Sequence, residues 1–211
     1  MQSYINELFA AEDSALEAVR KRHLSESLPQ IHVSAEEGKI IHMLVTAVGA
    51  RRVLEVGTLG GYSAIWIARA LPEDGQLVTV ELDRERASVA RRAFQESGVS
   101  ERIELVVGDA REILPRLEPH FDVVFLDADK ESLPAYFDHS MRLLRVGGLL
   151  LCDNTHLEGR IVAADSSDPD VVGMREFNRL AARDERLVAS VIPVRDGLMT
   201  AVKISEHGSV A

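Results

Sequence analysis

Apolar positions follow two rhythms along this chain. From residue 51 to residue 154, short unbroken apolar runs alternate with stretches whose apolar residues return every three or four positions. The runs predict strands: RRVLEVG (51–57), QLVTVELD (76–83), RIELVVGD (102–109), FDVVFLDAD (121–129) and GGLLLCDN (147–154). The periodic stretches between them predict helices: YSAIWIARAL (62–71), RERASVARRAFQESG (84–98), AREILPRL (110–117) and LPAYFDHSMRLLR (133–145). Continuous apolar strands separated by helices belong to a parallel sheet covered on both faces. Two helical segments come first. Residues 3–24 carry Leu8, Ala11, Ala15, Ala18 and Val19 at helical spacing, and 33–50 opens with Ser34 as N-cap and Glu37 completing a capping box. After a polar loop (155–169) come a helix over 169–184 and two strands, RLVASVIPV (186–194) and LMTAVKI (198–204). Arg195-Asp196-Gly197 joins them, and so short an Asp-Gly link predicts an antiparallel hairpin. The expected fold class is therefore α/β. It is a doubly wound sheet of seven strands, mostly parallel with a C-terminal antiparallel hairpin, preceded by N-terminal helices.

Length and composition narrow the picture. A chain of 211 residues without repeats, low-complexity tracts or linkers predicts a single domain over 1–211. The 24 basic against 34 acidic residues give a net charge of −10, which argues against nucleic acid as a partner. The single cysteine, Cys152, rules out an intrachain disulfide. The N-terminus is too polar for a signal peptide and no apolar run approaches membrane-spanning length, so a cytoplasmic protein without a membrane partner is expected.

The chemistry sits at strand ends. LEVGTLGGYSA (54–64) forms the turn from first strand to first sheet helix, where doubly wound sheets bind ligands. Gly57, Gly60 and Gly61 would let the backbone approach a ligand. Glu81 ends the next strand, where an acid can accept both hydroxyls of a ribose. The spacing G-x-x-G-G, with Leu59 in place of the middle glycine, lacks the G-x-G-x-x-G that admits a pyrophosphate. Glu55 would repel a pyrophosphate and suit an ammonium group. S-adenosylmethionine, with a ribose and a cationic amino-acid end, fits these residues better than NAD. Two further strands run straight into charge, FLDADK at Asp127, Asp129 and Lys130, and LLCDN at Asp153 and Asn154. Ionised groups there are costly unless paired.

With Gly57–Ser63, Glu81, FLDADK and LLCDN in this order, the chain resembles the cation-dependent O-methyltransferases, the family of catechol O-methyltransferase and the plant caffeoyl-CoA O-methyltransferases. The resemblance runs from VSAEEGKII to PVRDGLMTAVK. It implies a Rossmann-like sheet with one antiparallel strand inserted, and dimers are frequent among its members. It implies that the methyl donor touches Val33, Glu55, Gly57, Thr58 and Ser63, that Glu81 holds its ribose, and that Ala110 lies near its adenine. Asp109 either reaches the adenine or caps the following helix.

Asp127, Asp153 and Asn154 would share a divalent cation. Two carboxylates and an amide oxygen are hard ligands that suit Mg²⁺, with Mn²⁺ or Ca²⁺ as alternatives. The expected acceptor is a small phenolic molecule with vicinal hydroxyls, a catechol, which can chelate the cation. Lys130 and Asp127 are the candidate catalytic residues, Asp127 through the cation and Lys130 either as the base that takes the acceptor's proton or as a charge that stabilises the phenolate. Asp129 is expected to be no ligand. Cys152 should point away from Asp153 as a buried strand residue, His156 should belong to a mobile substrate loop, and Trp66 and Ile67 should be core. Leu157 and Glu131-Ser132-Leu133 depart from the plant pattern, which has an aromatic residue and Glu-Asn-Tyr there. The apolar stripe of the N-terminal helices predicts a homodimer. The competing readings are an NAD-dependent oxidoreductase on a similar sheet and a donor-binding module without turnover.

Overall fold

The computed structural model describes residues 2–26, 28–163 and 165–208. Its seven strands make a mixed, mostly parallel sheet, and the chain divides into two compact units, 1–109 and 110–211.

In the first unit, helices α1 (Gln2–Phe9), α2 (Ser14–Ser25) and α3 (Ala35–Ala47) precede β1 (Arg52–Val56), α4 (Tyr62–Ala70), β2 (Gln76–Glu81), α5 (Arg84–Glu96) and β3 (Ile103–Val107). The single helix expected over 3–24 is in fact two. The chain breaks at Ala10–Asp13, and the Asp13 side chain caps α2 by accepting from Leu16 N at 3.1 Å. The apolar spacing continues through the break, but Leu8 is exposed while Leu16 and Val19 are buried. The capping box at α3 forms as expected, with Ser34 Oγ accepting from Glu37 N and Glu37 Oε2 accepting from Ser34 N. Strand order is β3-β2-β1, all parallel, with Val53 opposite Leu77 and Leu77 opposite Ile103. Helix α4 is buried over Tyr62–Ala68, which is why its sequence is apolar on every side. Trp66 and Ile67 lie in the core as expected. Two polar ties bind α4 to the N-terminal segment: Tyr62 Oη donates to Glu12, and Arg69 pairs with Asp13, each at 2.7 Å.

The second unit holds α6 (Ala110–Ile113), β4 (Phe121–Leu126), α7 (Leu133–Leu143), β5 (Leu144–Cys152), α8 (Pro169–Arg183), β6 (Leu187–Ile192) and β7 (Leu198–Lys203). The helix expected over 110–117 is a single turn continued by a 3-10 turn, Leu114–Arg116, with Pro115 inside it. Proline cannot donate to a longer α-ladder. Strand β5 starts at Leu144, before the Gly147 start expected from its apolar run. Order is β4-β5-β7-β6, with β4 and β5 parallel and β7 antiparallel to both β5 and β6. The C-terminal hairpin is thus present, and β7 is the inserted antiparallel strand. The loop after β5 contains a 3-10 segment, Leu157–Val162. No helix among the described residues is long and apolar enough to cross a membrane.

Candidate active site

The first unit gathers two acids and two threonine hydroxyls toward the carboxyl ends of its strands. Glu55 of β1 and Thr79 of β2 are register partners. Both are fully buried, and Thr79 Oγ1 donates to Glu55 Oε2 at 2.6 Å. The same hydroxyl lies 2.6 Å from Thr58 Oγ1, also buried. Thr79 is the residue that sequence reasoning missed. Its signal was there, since a threonine inside an apolar strand opposite a glutamate must find a polar partner. Glu81 closes β2 and is buried, with Oε2 accepting from Leu59 N at 2.8 Å and Oε1 from Asp83 N at 2.9 Å. Both oxygens are thus fixed by the loops around them. Gly57 N bonds Val80 O at 3.0 Å and Gly108 N bonds Glu81 O at 2.9 Å, tying together the turns after β1 and β3. Val33, just before the Ser34 cap, and Ser63, in the first turn of α4, are both buried. Ala110 begins α6 of the second unit and is buried there.

Gly57 and Gly61 have φ of 100° and 87°, and Leu59 shares the left-handed region at 51°. A Cβ on Gly60 would lie 1.9 Å from the His23 imidazole, and one on Gly61 would lie 2.5 Å from the Phe94 ring. Packing of helices α2 and α5 onto the turn is thus a second reason for glycine at these two positions, beside the expected approach to a ligand.

His23 is fully buried, and neither ring nitrogen finds a hydrogen-bond partner among the described residues. Burial, helped by the charge of His32, pushes its pKa down from 6.5 to about 4. The folded state therefore favours neutral imidazole. Its contribution to stability is complete above pH 6.5 and is lost as pH falls toward 4. We expect the denaturation midpoint to drop between pH 7 and pH 5 by an amount worth on the order of 1–2 kcal/mol. His23→Leu should flatten that decline, and an equal decline in the variant would remove His23 as its source.

The second unit brings the charged strand ends together as expected. Leu126 and Cys152 are register partners, and Asp153 N donates to Leu126 O at 3.1 Å. Asp127 and Asp153 are the next residues on these two adjacent strands, so their carboxylates emerge at the same sheet edge. Asp153 is buried, with Oδ1 accepting from Asn154 N at 2.7 Å. Asn154 has a left-handed φ of 61°. Lys130 Nζ lies 3.2 Å from Asp127 Oδ1, with both side chains mostly buried. Burial lowers the lysine's pKa, but the charges of Asp127 and Asp153 and the hydrogen bond that Lys130 donates to Asp127 more than reverse this, so the net shift is upward. Among the described residues, no cluster of three His, Cys, Asp or Glu side chains could hold a metal. The predicted set has two carboxylates, and its third ligand is an amide. All three donors are hard oxygens, the chemistry Mg²⁺ and related cations require.

Both carboxylate oxygens of Asp129 are engaged elsewhere. It caps the start of α7, accepting from Ser132 N at 3.1 Å and from Tyr136 Oη at 2.7 Å. Cys152 is fully buried and its thiol pKa is pushed up by burial, so it is no nucleophile. His156, expected on a mobile loop, has its backbone N–H held by Asp196 O at 3.0 Å.

The match to known proteins decides what this arrangement belongs to. A family model described as O-methyltransferase matches residues 6–204. The chain belongs to the O-methyltransferase family. A catechol O-methyltransferase of Mycobacterium tuberculosis is 40% identical over 193 residues, covering 91% of this chain and 87% of that protein. A catechol O-methyltransferase of Niastella koreensis is 37% identical over 193 residues, covering 90% and 87%. Among solved structures, the Streptomyces achromogenes O-methyltransferase TomG, involved in tomaymycin synthesis and solved with SAM, superposes with a TM-score of 0.91 at 39% identity. That match covers 96% of this chain and 95% of TomG. The Bacillus cereus O-methyltransferase, solved with SAH, gives a TM-score of 0.90 at 36% identity, covering 95% and 96%. As an O-methyltransferase, the chain is an enzyme of group transfer, and the oxidoreductase alternative falls away.

Proposed function

We propose that the protein transfers a methyl group from S-adenosylmethionine to one hydroxyl of a small catechol, in a reaction that requires a divalent cation. The observation that carries this reading is the pair of adjacent strand ends after β4 and β5, where Asp127, paired with Lys130, follows Leu126, and Asp153 and Asn154 follow its register partner Cys152. Relatives named catechol O-methyltransferase support the acceptor class. Neighbours solved with SAM and SAH support the donor. The unbroken family match supports one methyltransferase domain over 1–211.

When bound, the donor supplies an electrophilic methyl group, and a divalent cation lowers the acceptor hydroxyl's pKa from its usual value of about 10. The chain's own residues do the rest. Glu81 accepts the ribose hydroxyls; each of its oxygens already takes one backbone N–H and keeps lone-pair capacity for another donor. Glu55, fixed by Thr79, offers negative charge to the donor's ammonium group. Val33, Gly57, Thr58, Ser63 and Ala110 complete the donor's surroundings. Asp127, Asp153 and Asn154 would hold the cation, and three protein ligands leave room for both oxygens of a vicinal diol. Lys130 either receives the acceptor's proton or balances its charge.

Incubation with S-adenosylmethionine, Mg²⁺ and a panel of catechols should give a product heavier by one methyl group and an equal amount of demethylated donor. Donor binding without turnover on any catechol would favour the non-catalytic module. Calorimetry should show binding of S-adenosylmethionine and little of NAD. Glu81→Ala should weaken donor binding by roughly 1–3 kcal/mol, and unchanged affinity would remove Glu81 from the donor site.

We also propose a homodimer formed through the N-terminal helices. Tyr4, Leu8 and Phe9 on α1 are 58–66% exposed, an apolar surface that a second copy would cover. Sedimentation at micromolar concentration should show a dimer, and a monomer there contradicts the proposal.

A further inference from the structure

The segment that follows the proposed cation ligands has an unusual backbone. Asn154, Leu157 and Glu158 have φ of 61°, 46° and 53°, and Gly159 follows at 83°. Side-chain-bearing residues avoid the left-handed region, and several in one short segment persist only where the surroundings over-determine them. The surroundings here are the turn between β6 and β7. Gly197 O accepts from Thr155 N at 3.1 Å and from Thr155 Oγ1 at 2.9 Å. Asp196 O accepts from His156 N at 3.0 Å, and Asp196 Oδ1 accepts from Glu158 N at 2.7 Å. From α8, Asn178 Nδ2 donates to Thr155 O at 3.2 Å. Thr155 is buried under these contacts.

The fit is close on both sides. Gly197 itself has φ 84°, and a Cβ there would lie 2.5 Å from Thr155 Oγ1 and 2.8 Å from the His156 ring. Arg195, at φ 44°, is also in the left-handed region. Asn154 is the residue immediately before this clamp, and Leu157 N bonds back to its carbonyl at 3.1 Å. A shift of Thr155 or His156 therefore moves the backbone that aims the Asn154 amide.

We propose that the Arg195–Gly197 turn is a positioning device for the cation site, with Asp196 and Gly197 setting the left-handed pose of Asn154 and through it the affinity for a divalent cation. Neither residue touches the cation; both act through the 154–158 backbone. The inference rests on the assignment of Asp127, Asp153 and Asn154 as ligands. The bland alternative is a turn that only stabilises the hairpin.

Mn²⁺ binding, read from the electron paramagnetic resonance signal of the free ion and without any turnover, separates the two. Gly197→Ala is expected to weaken Mn²⁺ binding on the order of 10–100-fold, the range typical of residues that orient a ligand. Asp196→Ala should weaken it in the same direction, and Asp196→Asn, which keeps an acceptor oxygen at that position, should restore it. Donor affinity by calorimetry should stay at the wild-type value in all three. If Gly197→Ala does not fold, the Asp196 pair carries the test alone. Wild-type Mn²⁺ affinity in Asp196→Ala, at a temperature where it is folded, overturns the positioning role and leaves the cation site standing. A wild-type protein that binds no Mn²⁺ overturns the cation assignment and this inference together.

Discussion

Asp153→Ala is expected to abolish cation-dependent turnover, and excess chelator should do the same to the wild-type protein. Asp153 is buried at the end of β5, one residue beyond Cys152, the register partner of Leu126. A buried carboxylate is costly to keep ionised without positive charge nearby. Lys130 supplies such charge through Asp127, and the proposed cation would supply more. Charge stabilisation of this kind is worth several kcal/mol, so the rate should fall roughly 10²–10⁴-fold. Mg²⁺ or Mn²⁺ should restore the chelated wild type and leave the variant inactive. The control is thermal unfolding in chelator, where the variant should melt close to the wild type. A variant that keeps its activity and its Mg²⁺ response would dismiss Asp153 as a ligand.

Lys130→Met is expected to cost a comparable factor, roughly 10²–10³-fold, and its pH dependence decides the lysine's role. A free lysine, with a pKa of about 10.4, is already almost wholly protonated near neutral pH. Here, without a bound cation, the net shift is upward, because the charges of Asp127 and Asp153 outweigh burial. A raised pKa keeps the ammonium charged further into the alkaline range, the wrong direction for a base. Before a cation binds, the contact with Asp127 thus holds Lys130 as a fixed positive charge, whereas a bound divalent cation would push its pKa down. If Lys130 acts as a charge that stabilises the deprotonated acceptor, the loss in Lys130→Met should be similar at every pH. Recovery of the rate as pH approaches the acceptor's own pKa would show instead that Lys130 removes the proton. An unchanged rate would take Lys130 out of the mechanism.

The parallel strands could be read from sequence because strands buried on both faces must be apolar throughout, as in VVFL of β4 and LLLC of β5. Polar residues directly after such strands stand out against that background, which is why Asp127, Lys130, Asp153 and Asn154 were candidates and why the meeting of the two strand ends was legible. Features that depend on a partner distant in sequence were not. The packing of His23 on Gly60 and of Phe94 on Gly61 was one such feature. The break before α2 was missed because apolar spacing ran through it, although Asp13 followed by Ser14 carried an N-cap signal. Thr79 needed the register that sets it opposite Glu55. Asp196 and Gly197 read as an ordinary hairpin link, since hydrogen bonds to Thr155, His156 and Glu158 leave no local trace in sequence.

The central claim is that two adjacent oxygens of the acceptor are used through a cation held at Asp127, Asp153 and Asn154. The most direct measurement compares initial rates of methyl transfer to catechol and to phenol, each with Mg²⁺ and with excess chelator, at saturating S-adenosylmethionine. The account predicts fast transfer to catechol with Mg²⁺ and a near-total loss in chelator, with phenol slow in both. Equal rates on catechol and phenol in chelator would contradict it.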